Sequence, residues 1–428
     1  MTIAFNLASI RKSGGAAISK PTERLPMNPA ARSRRRTIFY WLLLFGLVVS
    51  IPFVSAVGYF IYRKLTYSFE FGEKFGRFDD ELGWVLRENA TSYIRGRSLV
   101  KRELYYDSKV FTNALGFRDR ATALMPQREG IATIGDSWTF GYCVDFEETY
   151  PFYLESLLKL PVSNLGIPAY GSGATYGLFR RHVEHLQPKL VVYLALGLTN
   201  RSIELERPDK PVLIPTFYYD STTRDVGLLF PEPGAVTRSV AQGIYPGGSL
   251  TAGYDTWSYL RHIKLPEIMN TAFAFYHRSL STVIRQPAHS VDARRTRKAE
   301  RAKRVDEILV YEMGLYAALM ERHRFAMVVI DGTGLYNGPI ARVNQTHTAK
   351  ITVIPKDEYE AKVYRRSDEL RMSDPEKRVP MDGHFGRGTN RLIAELVAAA
   401  VEPVIGKDTG LDLARGKKAV ATGPKLMN

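Results

Sequence analysis

From Gly130 onward, short apolar runs alternate with stretches of helical spacing. "GIATIG" (130–135) reads as a buried strand. "EETYPFYLESLLKL" follows, with Phe152, Leu154, Leu157 and Leu158 on one apolar face. Thr149 stands as a plausible N-cap just before Pro151. "VSNLGI" reads as a second strand. "GATYGLFRRHVEHL" reads as a second helix, stopped by Pro188, with His182 and His185 expected on its surface. "KLVVYLALG" is apolar almost throughout, as parallel strands covered on both faces are. After Asn200 the pattern lapses until about residue 304, and an insertion of loops and short helices is expected over 201–304. The basic run "ARRTRKAERAKR" falls inside it. Regularity returns with the helix "VDEILVYEMGLYAALMERH", the strand "FAMVVIDG" and a final helix, "GTNRLIAELVAAAVEPVI". Alternation of strand and helix predicts an α/β fold built on a parallel sheet with right-handed crossovers.

Upstream the pattern is different. Residues 37–62 carry no charge and exceed the ~20 apolar residues that cross a bilayer. Phe39, Tyr40 and Trp41 at one edge, and Tyr59, Phe60 and Tyr62 at the other, suit interfacial belts, and Pro52 is a potential kink. Arg11, Lys12, Lys20, Arg24, Arg32, Arg34, Arg35 and Arg36 precede this stretch against one acid, Glu23. The flank beyond it mixes Arg63 and Lys64 with Glu70, Glu73, Asp79, Asp80 and Glu81. The excess of Lys and Arg marks the cytoplasmic side. The expected organisation is therefore a basic cytoplasmic tail (1–36), one transmembrane helix (37–62) and a polar, aromatic lead-in (65–128). An extracytoplasmic α/β domain (129–403) and a basic C-terminal tail (404–428) follow. The predicted location is single-pass in the inner membrane.

Composition narrows the chemistry. The 428 residues are 45% hydrophobic, ample for a large core. A net charge of +15 favours anionic lipid or an acidic polymer as a neighbour. No Lys/Arg stripe is interleaved with aromatics, so nucleic acid is not an expected partner. The single cysteine, Cys143, cannot close an internal disulfide or supply a zinc set.

In an open parallel sheet, ligands sit beyond the carboxyl ends of the strands. Ser137 in "IGDSWTFG" stands there. A serine after a strand is often a cap or turn residue, so its chemistry depends on partners. His384 in "MDGHFGRGTN" precedes the last helix, where the sheet would return it to the same rim. Asp382 lies two residues earlier and would fix the imidazole tautomer. "NLGIPAYGSG" and "LGLTNR" end the second and third strands. The backbone N–H near Ala169 and the amide of Asn200, with the N–H of Ser137, would form an oxyanion hole. "GSGATYG" lacks the third glycine spacing of a dinucleotide fingerprint, and G-x-S-x-G is absent around Ser137.

These blocks, "GDSWTFG", "NLGIPAYG", "GLTN" and "DGHF", resemble the SGNH or GDSL hydrolases. "DDELGW", "ALGFRDR" and "EETYP" look like its membrane-anchored envelope members. The resemblance implies a three-layer α/β/α sandwich and a Ser-His-Asp centre without metal or cofactor. Ser137 would be nucleophile, His384 base and Asp382 its orienter, with Ala169 and Asn200 at the oxyanion. The sequence departs from the family at Trp138, where leucine is usual, at Ala169, where glycine is frequent, and at Arg201, where aspartate is frequent. Met381 stands where the acid often lies. The expected function is a serine esterase or deacetylase acting on an acylated envelope glycan or a lipid ester. A polysaccharide O-acetyltransferase with the same triad is the alternative, and a non-catalytic glycan-binding accessory protein the third. An envelope polysaccharide export or modification complex is the expected assembly partner.

Overall fold

The computed structural model describes residues 37–41, 43, 54–55, 58–59, 62, 68–72, 74–98, 100–120, 130–196, 203–244, 291–364 and 384–405. The chain divides into two units, Met1–Gly58 and Tyr59–Asn428. In the first, the described residues are helical, with Phe39, Tyr40 and Trp41 exposed. Most of the expected membrane span lies outside the described residues, among which no helix is long and apolar enough to cross a membrane.

The second unit opens with β1 (Ser68–Phe71), β2 (Gly76–Asp79), β3 (Gly83–Leu86), β4 (Thr91–Ser98), β5 (Glu103–Thr112) and β6 (Arg118–Asp119). The α/β part runs β7 (Ile131–Ile134), α1 (Ser137–Phe140), α2 (Tyr150–Leu158), β8 (Val162–Asn164), α3 (Ser172–Leu186) and β9 (Leu190–Ala195). Next come β10 (Ile203–Glu204), β11 (Thr216–Tyr219), β12 (Val226–Leu229) and α4 (Ala235–Ala241). The described chain closes with α5 (Val291–His323), β13 (Ala326–Asp331), α6 (Asn337–Thr346), β14 (Ile351–Ile354), α7 (Lys356–Tyr359) and α8 (Arg387–Ile405).

Nine of these strands form one sheet, ordered β1-β4-β5-β6-β8-β7-β9-β13-β14. The five strands from β8 to β14 pair in parallel. β6 joins β8 antiparallel, and β5, β4 and β1 continue antiparallel beyond it. The sheet is therefore mixed, parallel on the side that ends at β14 and antiparallel on the side that ends at β1, because the lead-in extends it instead of merely packing on it.

Alternate residues of the central strands face opposite cores. Val191, Tyr193 and Ala195 of β9 join one apolar cluster with residues of α3 and α5. Leu190, Val192 and Leu194 join a second with residues of α2 and α8. Period-2 alternation with both faces apolar produces helices on each side of the sheet. Thr149 caps α2, accepting from Phe152 N at 3.4 Å, as its position before Pro151 predicts.

The region after Asn200 departs from expectation. Its described part adds a three-stranded sheet, β10-β11-β12, to the loops and the short helix α4. The basic run 293–304 is the first half of α5, which begins at Val291 and not near residue 305. His182 is half-buried rather than a surface residue, whereas His185 is exposed as expected. His182 packs edge-on to Phe117 at 4.9 Å, and burial pulls its pKa down to about 4. The lead-in covers that side of α3, and Asp79 fastens it there by accepting two hydrogen bonds from Arg181, at 2.8 and 2.7 Å.

Candidate active site

Ser137 begins α1 at the carboxyl end of β7, and only 4% of it is exposed. The turn that puts it there is local. Gly135 has φ +150°, and a Cβ there would meet Thr139 Oγ1 at 2.3 Å, so glycine is required. Asp136 caps the short helix, its Oδ1 accepting from Trp138 N at 2.9 Å. The acid of Gly-Asp-Ser is thus spent on shaping the turn.

His384 Nε2 lies 2.8 Å from Ser137 Oγ, within hydrogen-bond reach across 247 residues of chain. This contact joins the two sequence-predicted residues that chemistry needs adjacent. Two aromatic rings lie against the imidazole, Trp138 at 4.7 Å and Tyr142 at 4.8 Å between centroids. Phe385 packs on Trp138 at 4.1 Å. The residue after Ser137, leucine in most of the resembled family, here forms part of the wall that holds the histidine.

Asn390, on the first turn of α8, fixes the backbone just after His384. Its Nδ2 donates to Phe385 O and Gly386 O at 3.2 and 3.1 Å, while its Oδ1 accepts from Tyr150 N at 3.3 Å. One buried amide therefore links the histidine loop to the start of α2. Sequence reasoning missed Asn390 and Tyr142. Asn390 carries a signal, a polar residue in the first turn of an otherwise amphipathic helix. Tyr142 carries none, because its role depends on how the loop folds back.

The second block approaches α1 closely. A Cβ on Gly166 would meet Phe140 N at 2.2 Å and Thr139 C at 2.6 Å, both backbone atoms. Asn164 Oδ1 accepts from Gly166 N at 3.0 Å and shapes this contact. Ala169 is half-buried with φ +68°. That left-handed conformation costs a residue with Cβ roughly 1 kcal/mol, which accounts for the glycine common at this place in the resembled family. Tyr170 holds the loop by donating from its hydroxyl to Trp84 O in β3.

The loop after α1 is held from the lead-in too. Arg118 of β6 is 1% exposed, and burial pulls its pKa down to about 10. It stays cationic near neutral pH and donates to Phe140 O at 2.8 Å and to the carbonyls of Gly141 and Val144. Ser108 of β5 also donates to Val144 O, at 2.8 Å. Gly141 (φ +78°) and Cys143 (φ +71°) turn the chain sharply between these anchors, and Tyr142 lies between them.

Asp382 and Asn200, the expected orienting acid and an expected oxyanion donor, lie outside the described residues. What the described residues form is a buried serine hydroxyl at a helix start, an imidazole in reach of it and a left-handed turn beside it. Such a pair can pass the serine proton to the ring as the oxygen attacks an acyl carbon.

No family model matches the sequence, and no curated protein matches it. Solved structures do match. A lipolytic protein of the G-D-S-L family from Desulfitobacterium hafniense aligns at 10% identity over 64% of this chain and 99% of its own, with TM-score 0.27. A psychrotrophic esterase from Pseudoalteromonas sp. aligns at 8% identity over 65% of this chain and 100% of its own, with TM-score 0.32. An acetyl xylan esterase from Butyrivibrio proteoclasticus aligns at 7% identity over 66% of each chain, with TM-score 0.32. TM-scores this low carry no argument, so function rests on the site's own geometry.

Proposed function

We propose that the chain is a serine esterase of the SGNH type, in which Ser137 attacks an ester carbonyl and His384 takes its proton. The 2.8 Å contact between His384 Nε2 and Ser137 Oγ carries this reading. Attack forms the bond from Oγ to the acyl carbon. The imidazolium then protonates the departing alcohol, and water, activated by the same ring, releases the acid and restores the serine. The N–H groups of Ser137 and Ala169 and the amide of Asn200 receive the oxyanion, and Asp382 orients the ring.

The same reading places the enzyme in the inner membrane, its catalytic unit extracytoplasmic and its substrate an acylated envelope glycan. An uncharged stretch over 37–62, the preceding cations and the positive net charge support this. The test is acetyl release from p-nitrophenyl acetate by the full chain, with and without a sugar acceptor. Ser137→Ala is expected to abolish release. Turnover at the wild-type rate in that variant would remove Ser137 as the nucleophile. A rise in acetylated sugar at the expense of free acetate would make the reaction transfer.

A further inference from the structure

The first half of α5 has no role in the site described so far. Residues 291–304 carry seven basic and two acidic side chains and no large apolar residue besides Val291. Topology fixes where this half stands. α5 ends at His323, and β13 begins at Ala326, paired in parallel with β9, which pairs in parallel with β7. The C-terminal end of α5 therefore lies at the amino edge of the sheet, and the helix runs back toward the carboxyl edge where Ser137 sits. Contacts along it agree. Glu312 meets Tyr336, which follows β13, and Arg342 of α6 pairs with Asp306. Arg304 donates to Leu205 O, just past β10, at 3.2 Å.

Burial then stops. Ile308 and Leu309 are in the core, whereas Lys298, Glu300, Arg301 and Lys303 are exposed. Fourteen residues beyond the core-packed half extend about 21 Å at 1.5 Å per residue. Positions 298, 301, 305, 308 and 312 share one helix face by their spacing of three and four. Ile308 and Glu312 on that face are wholly buried. The cationic positions above them thus overlook the rim rather than pointing away from it. Lys298, Arg301 and Lys303 form no ion pair among the described residues.

We propose that residues 291–304 of α5 form a capture arm for a polyanionic glycan, holding the polymer by its carboxylates over the rim so that its ester groups reach Ser137. This rests on the esterase reading and adds the charge class of the substrate. A helix that lies on a lipid surface needs an apolar face opposite its cations, and this stretch offers only alanines and one valine. It lacks the interleaved aromatics of a nucleic-acid surface. A run of cations along one helix, with Lys298, Arg301 and Lys303 exposed and in no ion pair among the described residues, suits a flexible polymer with repeated carboxylates, at an affinity that falls with salt.

The test compares the full-length protein with a variant carrying Arg294→Gln, Arg297→Gln, Lys298→Gln and Arg301→Gln. Glutamine keeps helix propensity, and Arg304 is left in place because it pairs with Glu206. Both are made in a Ser137→Ala background for binding to polygalacturonate, with dextran and phosphatidylglycerol vesicles as comparators. Matched thermal melts establish folding. The expected result is a loss of polygalacturonate affinity of about tenfold or more at low salt, with a flatter salt dependence. With Ser137 restored, KM for acetylated polygalacturonate is expected to rise with kcat held, while p-nitrophenyl acetate turnover stays equal. Unchanged polygalacturonate affinity in the variant overturns the arm, as does stronger retention on the vesicles than on polygalacturonate. Absence of p-nitrophenyl acetate turnover in the wild type would instead sink the esterase reading, and the binding comparison would still judge the arm.

Discussion

Glu312 sits wholly buried in a ring of tyrosines, its Oε2 accepting from Tyr336 OH at 3.3 Å, with Tyr193 OH 3.5 Å from that same hydroxyl. Burial pushes its pKa from 4.5 up to about 8, and hydrogen bonds from Tyr336, Tyr193 and Ser172 only partly oppose the rise. The folded chain therefore keeps a proton that the unfolded chain loses near pH 4.5. Stability contributed by this group is fully present below that value, falls as pH rises and levels off above about 8. Glu312→Gln keeps the shape and has no proton to lose. Wild type is expected to lose stability relative to the variant between about pH 5 and about pH 9, by a few kcal/mol. Parallel melting curves across that range would show that Glu312 does not titrate there. Asp382→Asn probes the other carboxyl that matters. It would hold the wrong histidine tautomer and lower turnover on the order of 10²-fold or more while the melt stays unchanged. An equal rate at every pH would mean that another group orients His384.

At the scale of elements, β6 and the loop after α1 behave as one piece. Arg118→Met keeps much of the side-chain volume but removes the charged hydrogen bonds to the carbonyls of Phe140, Gly141 and Val144, the last of which keeps Ser108 as a donor. A loss of about 3 kcal/mol is expected, from roughly 1 kcal/mol or more per hydrogen bond to the guanidinium that is lost. Turnover should fall as well, since Tyr142 on that loop lies against His384. A destabilised variant with wild-type kcat would separate the anchor from the site. This dependence explains what the sequence disclosed and what it hid. β7, β9 and β13 were legible because both their faces are apolar, and α2 because its cap and proline stand at fixed offsets. β4 and β5 were not, since Ser92, Ser98, Ser108 and Thr112 occupy buried positions of their alternation and break the apolar pattern. α5 was read short because apolar periodicity begins only where the helix meets the core. His182 reads as a surface residue because no local pattern discloses that the lead-in, which half-buries it, extends the sheet. Ser137 and His384 were legible as motif residues, but their adjacency depends on β7 and α8 closing one rim, which no local pattern states.

For the whole molecule, the proposed orientation across a membrane would decide what the site can meet. Residues 37–62 are uncharged, and eight Lys or Arg precede them against one acid. The flank beyond holds Arg63 and Lys64 among several acids, so the asymmetry is moderate in size but clear in sign. On the proposed topology, the positive-inside rule would keep the basic tail in the cytoplasm and carry the catalytic unit across. Alkaline phosphatase fused after Asn428, active only outside the cytoplasm, is expected to report activity. A silent fusion at normal expression would place the unit inside. The outcome reaches beyond topology. Outside, the accessible esters are those of envelope glycans and lipids, and a chain of net charge +15 meets anionic polymers under strong long-range attraction at low salt. Inside, the same charge would face other polyanions, the glycan argument would lose its ground, and a small cytosolic ester would become the better substrate for the Ser137–His384 pair. The reporter and the salt dependence of polymer binding therefore test one proposition from two sides. An outward domain with salt-insensitive binding would keep the location and discard the polyanion.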